Sequence, residues 1–295
     1  MNGIMCIDKP QEMTSFSCCA LLRRLTGEKK VGHAGTLDPM ATGVLPLMFG
    51  KATRAIPLLP SHRKGYRAVV QFGYQSDTLD IWGNLSKTGK PFPTLAAIKD
   101  ILPQFRGEIL QVPPMMSALK KDGVRLYDLA RQGIEVERTA RPVTIYDLQP
   151  ESYDEQTGKL TFFCECSAGT YIRTLCDDMG RVLGCRAVMA ELRRTIAAGY
   201  DLSDCLTPES CRLLSEEGTL TEHILPVETA FLSYAALTVS EAQAVRFCNG
   251  GELSAERLSF VPPKDELVRV KAPDGRFLGL GRLEQENLCV VRIFV

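Results

Sequence analysis

The sequence predicts an α+β fold with a larger N-terminal unit and a small β-rich C-terminal one, on three observations. In Tyr66-Arg67-Ala68-Val69-Val70-Gln71-Phe72, the residues Tyr66, Ala68, Val70 and Phe72 alternate onto one face, the period of a half-buried strand. Ile172, Leu175, Cys176, Met179 and Leu183 recur at helical spacing, predicting a helix that buries this stripe and leaves Tyr171 and Arg173 off it. Past about Ala230 the pattern becomes short strands around Pro273-Asp274-Gly275, a hairpin turn.

In chain order, residues 3–8 read as a strand with Ile4, Cys6 and Asp8 on one face; Lys9 at its end reads as a surface lysine. Thr14 or Ser15 caps a helix through Leu25 that Gly27 closes. Residues 32–46 are a shaped loop, because glycines at 32, 35 and 43 admit backbone conformations closed to other residues and Pro39 holds Asp38 extended. One carboxylate thus sits on stiff backbone, with His33 nearby; an Asp-Pro pair alone is also an ordinary turn. An apolar run at 44–49 and a short helix over 51–59, ended near Pro60, lead to the Tyr66 strand, where the tyrosine sits at the edge of the core.

Thr94 caps a helix through about Leu102. From Gln111 to Pro142 runs a long segment with few core positions, in which Arg125, Tyr127, Arg131, Arg138 and Arg141 give either a decorated surface excursion or a surface suited to a phosphate backbone. A strand over 159–167 precedes the helix of Arg173, a cation near the positive helix end that needs an anion close by; Asp177, one turn on, is the local candidate. A strand over 187–198 and helices at 208–215 and 240–248 follow, then strands at 266–272, 277–283 and 287–295.

At 295 residues and 45% hydrophobic, the chain has enough material for a real core. Lys+Arg and Asp+Glu are equal at 35 each, so nucleic-acid contact would rest on local clusters: Arg23 with Arg24, Lys29 and Lys30; Arg63 with Lys64 and Arg67; Lys120 with Lys121 and Arg125; Arg138 with Arg141; Arg193 with Arg194. Each cluster alone reads as a solvated face. The 11 scattered cysteines lack zinc-site spacing, and His33, His62 and His223 have no acidic or histidine partner at helical spacing, which disfavours a metal hydrolase. No apolar run has the length of a signal peptide or a membrane span, so a soluble cytoplasmic protein is expected.

Taken whole, residues 32–46, GHAGTLDPMATGVLP, resemble the signature of the TruB family of tRNA pseudouridine synthases, and Gly169-Thr170-Tyr171-Ile172-Arg173 resembles a second motif of that family. The resemblance implies a pseudouridine-synthase-like mixed, mainly antiparallel sheet with flanking helices over residues 1–230, a thumb-like RNA-binding insertion at 114–142 and a PUA-like RNA-binding domain at 231–295. It implies isomerisation of the T-loop uridine at position 55 of tRNA after base flipping, with no cofactor, no metal and no obligate protein partner. Asp38 would be the catalytic carboxylate, held ionised and aimed by Arg173. Tyr66 would stack on the uracil and take part in proton removal, although an ordinary phenol is a weak base at neutral pH. His33 would assist flipping, Tyr171 and Leu192 would line the pocket, and Lys9 would lie beneath it. Asp80, in Asp77-Thr78-Leu79-Asp80-Ile81-Trp82-Gly83, resembles an acidic residue near the family's pocket. The alternatives are a guide-RNA-dependent catalytic subunit and a tRNA-binding or tRNA-folding protein.

Overall fold

The computed structural model describes residues 1–59 and 63–295. β1 (Gly3–Lys9) runs into α1 (Ser15–Thr26), whose first turn is closed by Thr14 accepting from the Ser17 N–H and whose end falls at Gly27, φ +70°. β2 (Val31–His33) and β3 (Thr42–Phe49) flank the signature loop, so its irregular part is only residues 34–41. Gly35 and Gly43 have φ of +100° and +103°; Gly32 does not have positive φ, because it lies within β2, and the sequence expectation there is corrected. A 3-10 turn, Gly50–Leu58, replaces the short helix expected, as Pro57 inside it cannot donate an α-helical bond. Its expected end near Pro60, and His62, lie outside the described residues.

β4 (Lys64–Phe72) is followed by the small ribbon β5 (Tyr74–Gln75) and β6 (Ser86–Lys87), then α2 (Leu95–Ile101) capped by Thr94, and β7 (Gly107–Gln111). Beyond it come the hairpin β8 (Lys120–Lys121) and β9 (Val124–Arg125), and α3 (Leu126–Arg131). Two 14- and 8-residue strands, β10 (Arg141–Asp154) and β11 (Lys159–Cys166), lead into α4 (Ile172–Val182) and β12 (Ala187–Ala197). β13 (Tyr200–Asp201), β14 (Cys205–Leu206) and α5 (Pro208–Glu216) close the larger unit. The C-terminal unit holds β15 (Ala236–Thr238), α6 (Glu241–Cys248), β16 (Leu253–Ser254), β17 (Leu267–Lys271), β18 (Phe277–Glu284) and β19 (Asn287–Ile293).

Ten strands among the described residues form one sheet in the order β14-β1-β3-β12-β4-β11-β10-β7, with β13 on β12 and β2 on β3. Only β1 with β14 and β12 with β3 are parallel, so the sheet is mixed and mainly antiparallel. One core packs α1, α2 and α4 against it through Leu22, Ile98, Leu175, Phe72 and Phe162. A second core, around Ile4, Met48, Phe231 and Phe294, joins this sheet to the five-stranded C-terminal sheet, with Phe231 stacked 5.8 Å from Phe294. β7 and β10 were not expected from the sequence; they turn the ends of the long 111–142 segment into a sheet edge.

Candidate active site

The signature loop is tied from both sides. On the β1 side, the buried Ser15 hydroxyl accepts from the Leu37 N–H at 2.8 Å and donates to its carbonyl at 3.1 Å, while the Glu12 N–H donates to Pro39. Lys9 is fully buried, against the surface position expected from its residues alone, because its ammonium donates to the carbonyls of Pro10, Met13 and Pro39 at 2.9, 2.6 and 3.3 Å. Burial lowers its pKa to about 8, with Asp38 among the charges that oppose the shift. On the other side, Arg194 Nη2 and Nη1 donate to the carbonyls of Gly35 and Thr36 at 3.1 and 3.3 Å. The Asp38 carbonyl accepts from Ala41 in a turn, which leaves the side chain free to point outward.

That carboxylate meets Arg173: Asp38 Oδ2 lies 3.0 Å from Nη2, with the Asp38 side chain 40% exposed and that of Arg173 8%. Arg173 is therefore buried, not off the packed stripe of α4 as its helical position predicts; the tail of the 77–83 loop and the root of the 111–142 segment cover it. Its Nη1 reaches Asp80 Oδ2 at 3.4 Å and the Thr78 carbonyl at 3.1 Å, and its Nη2 reaches the Met116 carbonyl at 2.8 Å. Asp80, itself buried, is fixed through its other oxygen by the Thr78 hydroxyl at 2.7 Å and the Trp82 N–H at 3.0 Å. Ile81 and Leu79 bond the two sides of Met189 in β12, which hooks the whole Asp80 turn to the sheet. Asp177 is not the partner of Arg173. One helical turn away on α4, it pairs with Arg181 at 2.7 Å and Arg186 at 3.2 Å.

Tyr66 lies on β4 directly across from Arg194 on β12. Burial pushes the phenol up to about 12, opposed by the charge of Arg194. Leu192 sits two residues before Arg194, opposite Ala68, half-buried against the same core. His33 ends β2; burial and then Arg194 lower its pKa, which favours the neutral ring, and its Nδ1 has no hydrogen-bond partner among the described residues. Tyr171 precedes α4, its N–H and carbonyl both held by the Gln111 side-chain amide at 2.7 and 3.1 Å, and it borders a cavity of about 200 Å³ with Pro113, Leu119, Arg141 and Val143.

Asp38, Arg173 and Asp80 are thus joined directly, Lys9 lies under the same loop, and Tyr66 stands across the strand pair from Arg194, which braces that loop. Sequence reasoning missed Gln111 and read Ser15 only as a possible helix cap; it placed Arg194 in Leu192-Arg193-Arg194, a stretch that resembles the family's pocket-lining segment, without a role of its own. Arg193 and Arg194 were grouped as a solvated face, which the structure corrects: Arg193 pairs with Asp8 at 2.7 Å, while Arg194 is fully buried. The signal was present, since neighbouring residues on a strand point to opposite faces and one of the two had to point inward. Among the described residues no group of His, Cys, Asp or Glu could hold a metal ion, and no helix is long and apolar enough to cross a membrane.

Residues 23–172 match the TruB family pseudouridylate synthase N-terminal domain, residues 173–232 the tRNA pseudouridylate synthase B C-terminal domain, and residues 235–295 the pseudouridine synthase II TruB C-terminal domain. The chain is 40% identical to tRNA pseudouridine synthase B of Clostridium acetobutylicum over 99% of each protein. It is 41% identical to the protein of that name from Pseudomonas fluorescens, over 97% of this chain and 93% of that one. Among solved structures, a Cbf5-Nop10-Gar1 complex contains a chain of the same fold, with TM-score 0.77 and 24% identity over 99% of this chain and 85% of that one. With contiguous family matches on either side of Arg173 and relatives alike along their full length, this chain belongs to the TruB family of pseudouridylate synthases.

Proposed function

We propose that this protein converts the uridine at position 55 in the T-loop of tRNA to pseudouridine, as a stand-alone cytoplasmic enzyme without guide RNA, cofactor or obligate protein partner. The observation that carries the reading is the 3.0 Å pair of a half-exposed Asp38 with a buried Arg173, on a loop braced from both sides. The isomerisation breaks the bond from C1′ to N1, joins C1′ to C5, removes the C5 proton and returns one to N1, so no redox partner is required. Asp38 supplies the carboxylate for the sugar or base, and Arg173 aims it while buried and hydrogen-bonded on three sides. Tyr66 and Tyr171 wall the flipped uracil with Leu192, and the neutral His33 braces the vacated stack. Asp80 and Lys9 hold Arg173 and the loop in place. Residues 114–142 grip the T-arm as a thumb, and residues 231–295 act as a PUA-like RNA-binding domain.

The test is incubation of the purified protein with an unmodified T-arm stem-loop, mapping pseudouridine by chemical adduct and primer extension, with Asp38→Asn alongside. Modification of the single T-loop uridine, reduced about 10⁴-fold in the variant, is expected. Tight binding without modification would favour a guided or purely binding role.

A further inference from the structure

The loop between β5 and β6 is built inside out. Its polar side chains are used up within the site: both Asp77 carboxylate oxygens accept from Asn84, from its N–H at 2.8 Å and its side-chain amide at 2.7 Å, and Asp80 is held by Thr78, Trp82 and Arg173. Its large apolar side chains are left in water, Ile81 at 37%, Trp82 at 50% and Leu85 at 43% exposure. The backbone beneath them is rigid. Leu79 has φ +63°, a left-handed conformation that leucine seldom adopts, and a Cβ on Gly83 would collide with the side-chain oxygens of Ser76, Asp77 and Thr78. Leu79 and Ile81 are bonded to Met189 of β12 as well, so Trp82 stands on a fixed mount.

Its ring is also unclaimed. Two other exposed aromatic residues, Phe16 and Tyr146, each carry an arginine over the ring, Arg23 at 5.4 Å and Arg63 at 4.1 Å. Among the described residues no ring pairs with Trp82 and no cation lies over it. The mount is continuous with the acid: the Trp82 N–H holds Asp80 Oδ1, Asp80 Oδ2 reaches Arg173 Nη1, and Arg173 Nη2 reaches Asp38. A flat apolar face held rigidly beside a base-flipping site suits a nucleobase, because extruding one nucleotide leaves its neighbours without a stacking partner and an aromatic ring replaces it.

We propose that Trp82 is a binding residue for the RNA substrate, its indole stacking on one unpaired base of the T-loop other than the target uridine. The inference rests on the pseudouridine-synthase reading. Every base has a π-face, so this contact fixes where the strand lies without selecting its sequence. Ile81 and Leu85 flank the ring on the same loop and extend the apolar surface on which the base lands.

Trp82 is the only tryptophan of the chain, so its fluorescence reports the contact directly. Titration of the wild-type protein with unmodified T-arm stem-loop is expected to quench the emission by about half at saturation, with binding scored separately by filter retention. Among stem-loops made abasic at one T-loop position at a time, one is expected to bind without quenching. Trp82→Leu, which keeps the apolar bulk, is expected to raise RNA Kd about tenfold with the saturated single-turnover rate within about threefold of wild type, and Trp82→Phe to recover most of the affinity. The abasic RNA that fails to quench is expected to bind Trp82→Leu and wild type alike. Emission unchanged by bound RNA overturns the inference. So does quenching that survives every abasic substitution, or Trp82→Leu binding as tightly as wild type; either would mean that Trp82 is covered by protein, by a second copy or by the 111–142 segment, whose Val124 and Ile134 are exposed. A stem-loop that binds without being modified overturns the parent reading alone, since the quenching still decides this one; a stem-loop that does not bind overturns both. The quenching is read from the wild-type chain and depends on no variant folding.

Discussion

Two buried arginines flank the signature loop, and they are satisfied in opposite ways. Arg173 meets carboxylates on two sides, Asp38 and Asp80, and fills its remaining donors with the carbonyls of Thr78 and Met116. Arg194, on the far side, donates to carbonyls, those of Val44, Thr36 and Gly35. In the first region the cation is fully paired before anything binds, so it can hold an anion still; in the second the cation has no paired carboxylate among the described residues. The same side chain serves as an anchor in one place and as a source of field in the other, and the difference lies wholly in what the neighbouring loops present to it.

The contrast breaks most severely at its balanced end. Arg173→Met leaves Asp80 buried without its cation and Asp38 unaimed; a loss of about 3 kcal/mol in urea unfolding and of at least about 100-fold in turnover is expected. Next is the joint between the loop and Arg194. Gly43 sits at φ +103° with its missing Cβ 2.1 Å from the Arg194 carbonyl oxygen, and β3 touches β12 through only the pairs Arg193 with Thr42 and Arg194 with Gly43. Gly43→Ala is expected to cost about 3 kcal/mol by the same measurement, because either the backbone or the strand pairing must give way.

Lys9 sharpens the comparison through pH. Its ammonium is released near pH 8 in the folded protein and near the ordinary 10.5 in the unfolded chain, so the unfolded chain binds more protons between those values and stability rises with pH there. Measured against Lys9→Met to cancel the similar titration of Lys64, the wild-type protein is expected to gain about 2 kcal/mol from pH 8 to pH 10.5. A flat difference curve would mean that the ammonium is as comfortable under the loop as in water. The smallest effect belongs to the surface: Arg67 pairs with Glu151 at side-chain exposures of 60% and 35%, and Arg67→Ala is expected to change stability by less than about 0.5 kcal/mol.

What the chain discloses of this arrangement follows the range of the interactions. Caps are local, and Thr14 and Thr94 each accept the expected backbone N–H. The strand carrying Tyr66 and the helix carrying Arg173 are legible because their buried faces repeat at fixed periods. β7 and β10 are not: β7 is the sheet edge, with Leu110 72% exposed, and in β10 Pro142 and Pro150 interrupt the apolar alternation. The contact of Arg173 with Asp38 was suggested by motif resemblance alone. Local spacing favoured Asp177, and no periodicity reports a partner on another element. The inward turn of Arg194 was hidden by composition, because a charged pair on a strand looks like solvated surface until the alternation is imposed on it.

Gln111 and Met116 stand at the root of the 114–142 segment, one gripping the backbone of Tyr171 and the other accepting from Arg173. The outer segment and the carboxylate consequently belong to one linked equilibrium. Whatever draws Met116 away weakens the hold on Asp38, and by reciprocity whatever neutralises Asp38 loosens the segment, so a ligand gripped outside is felt at the acid without touching it.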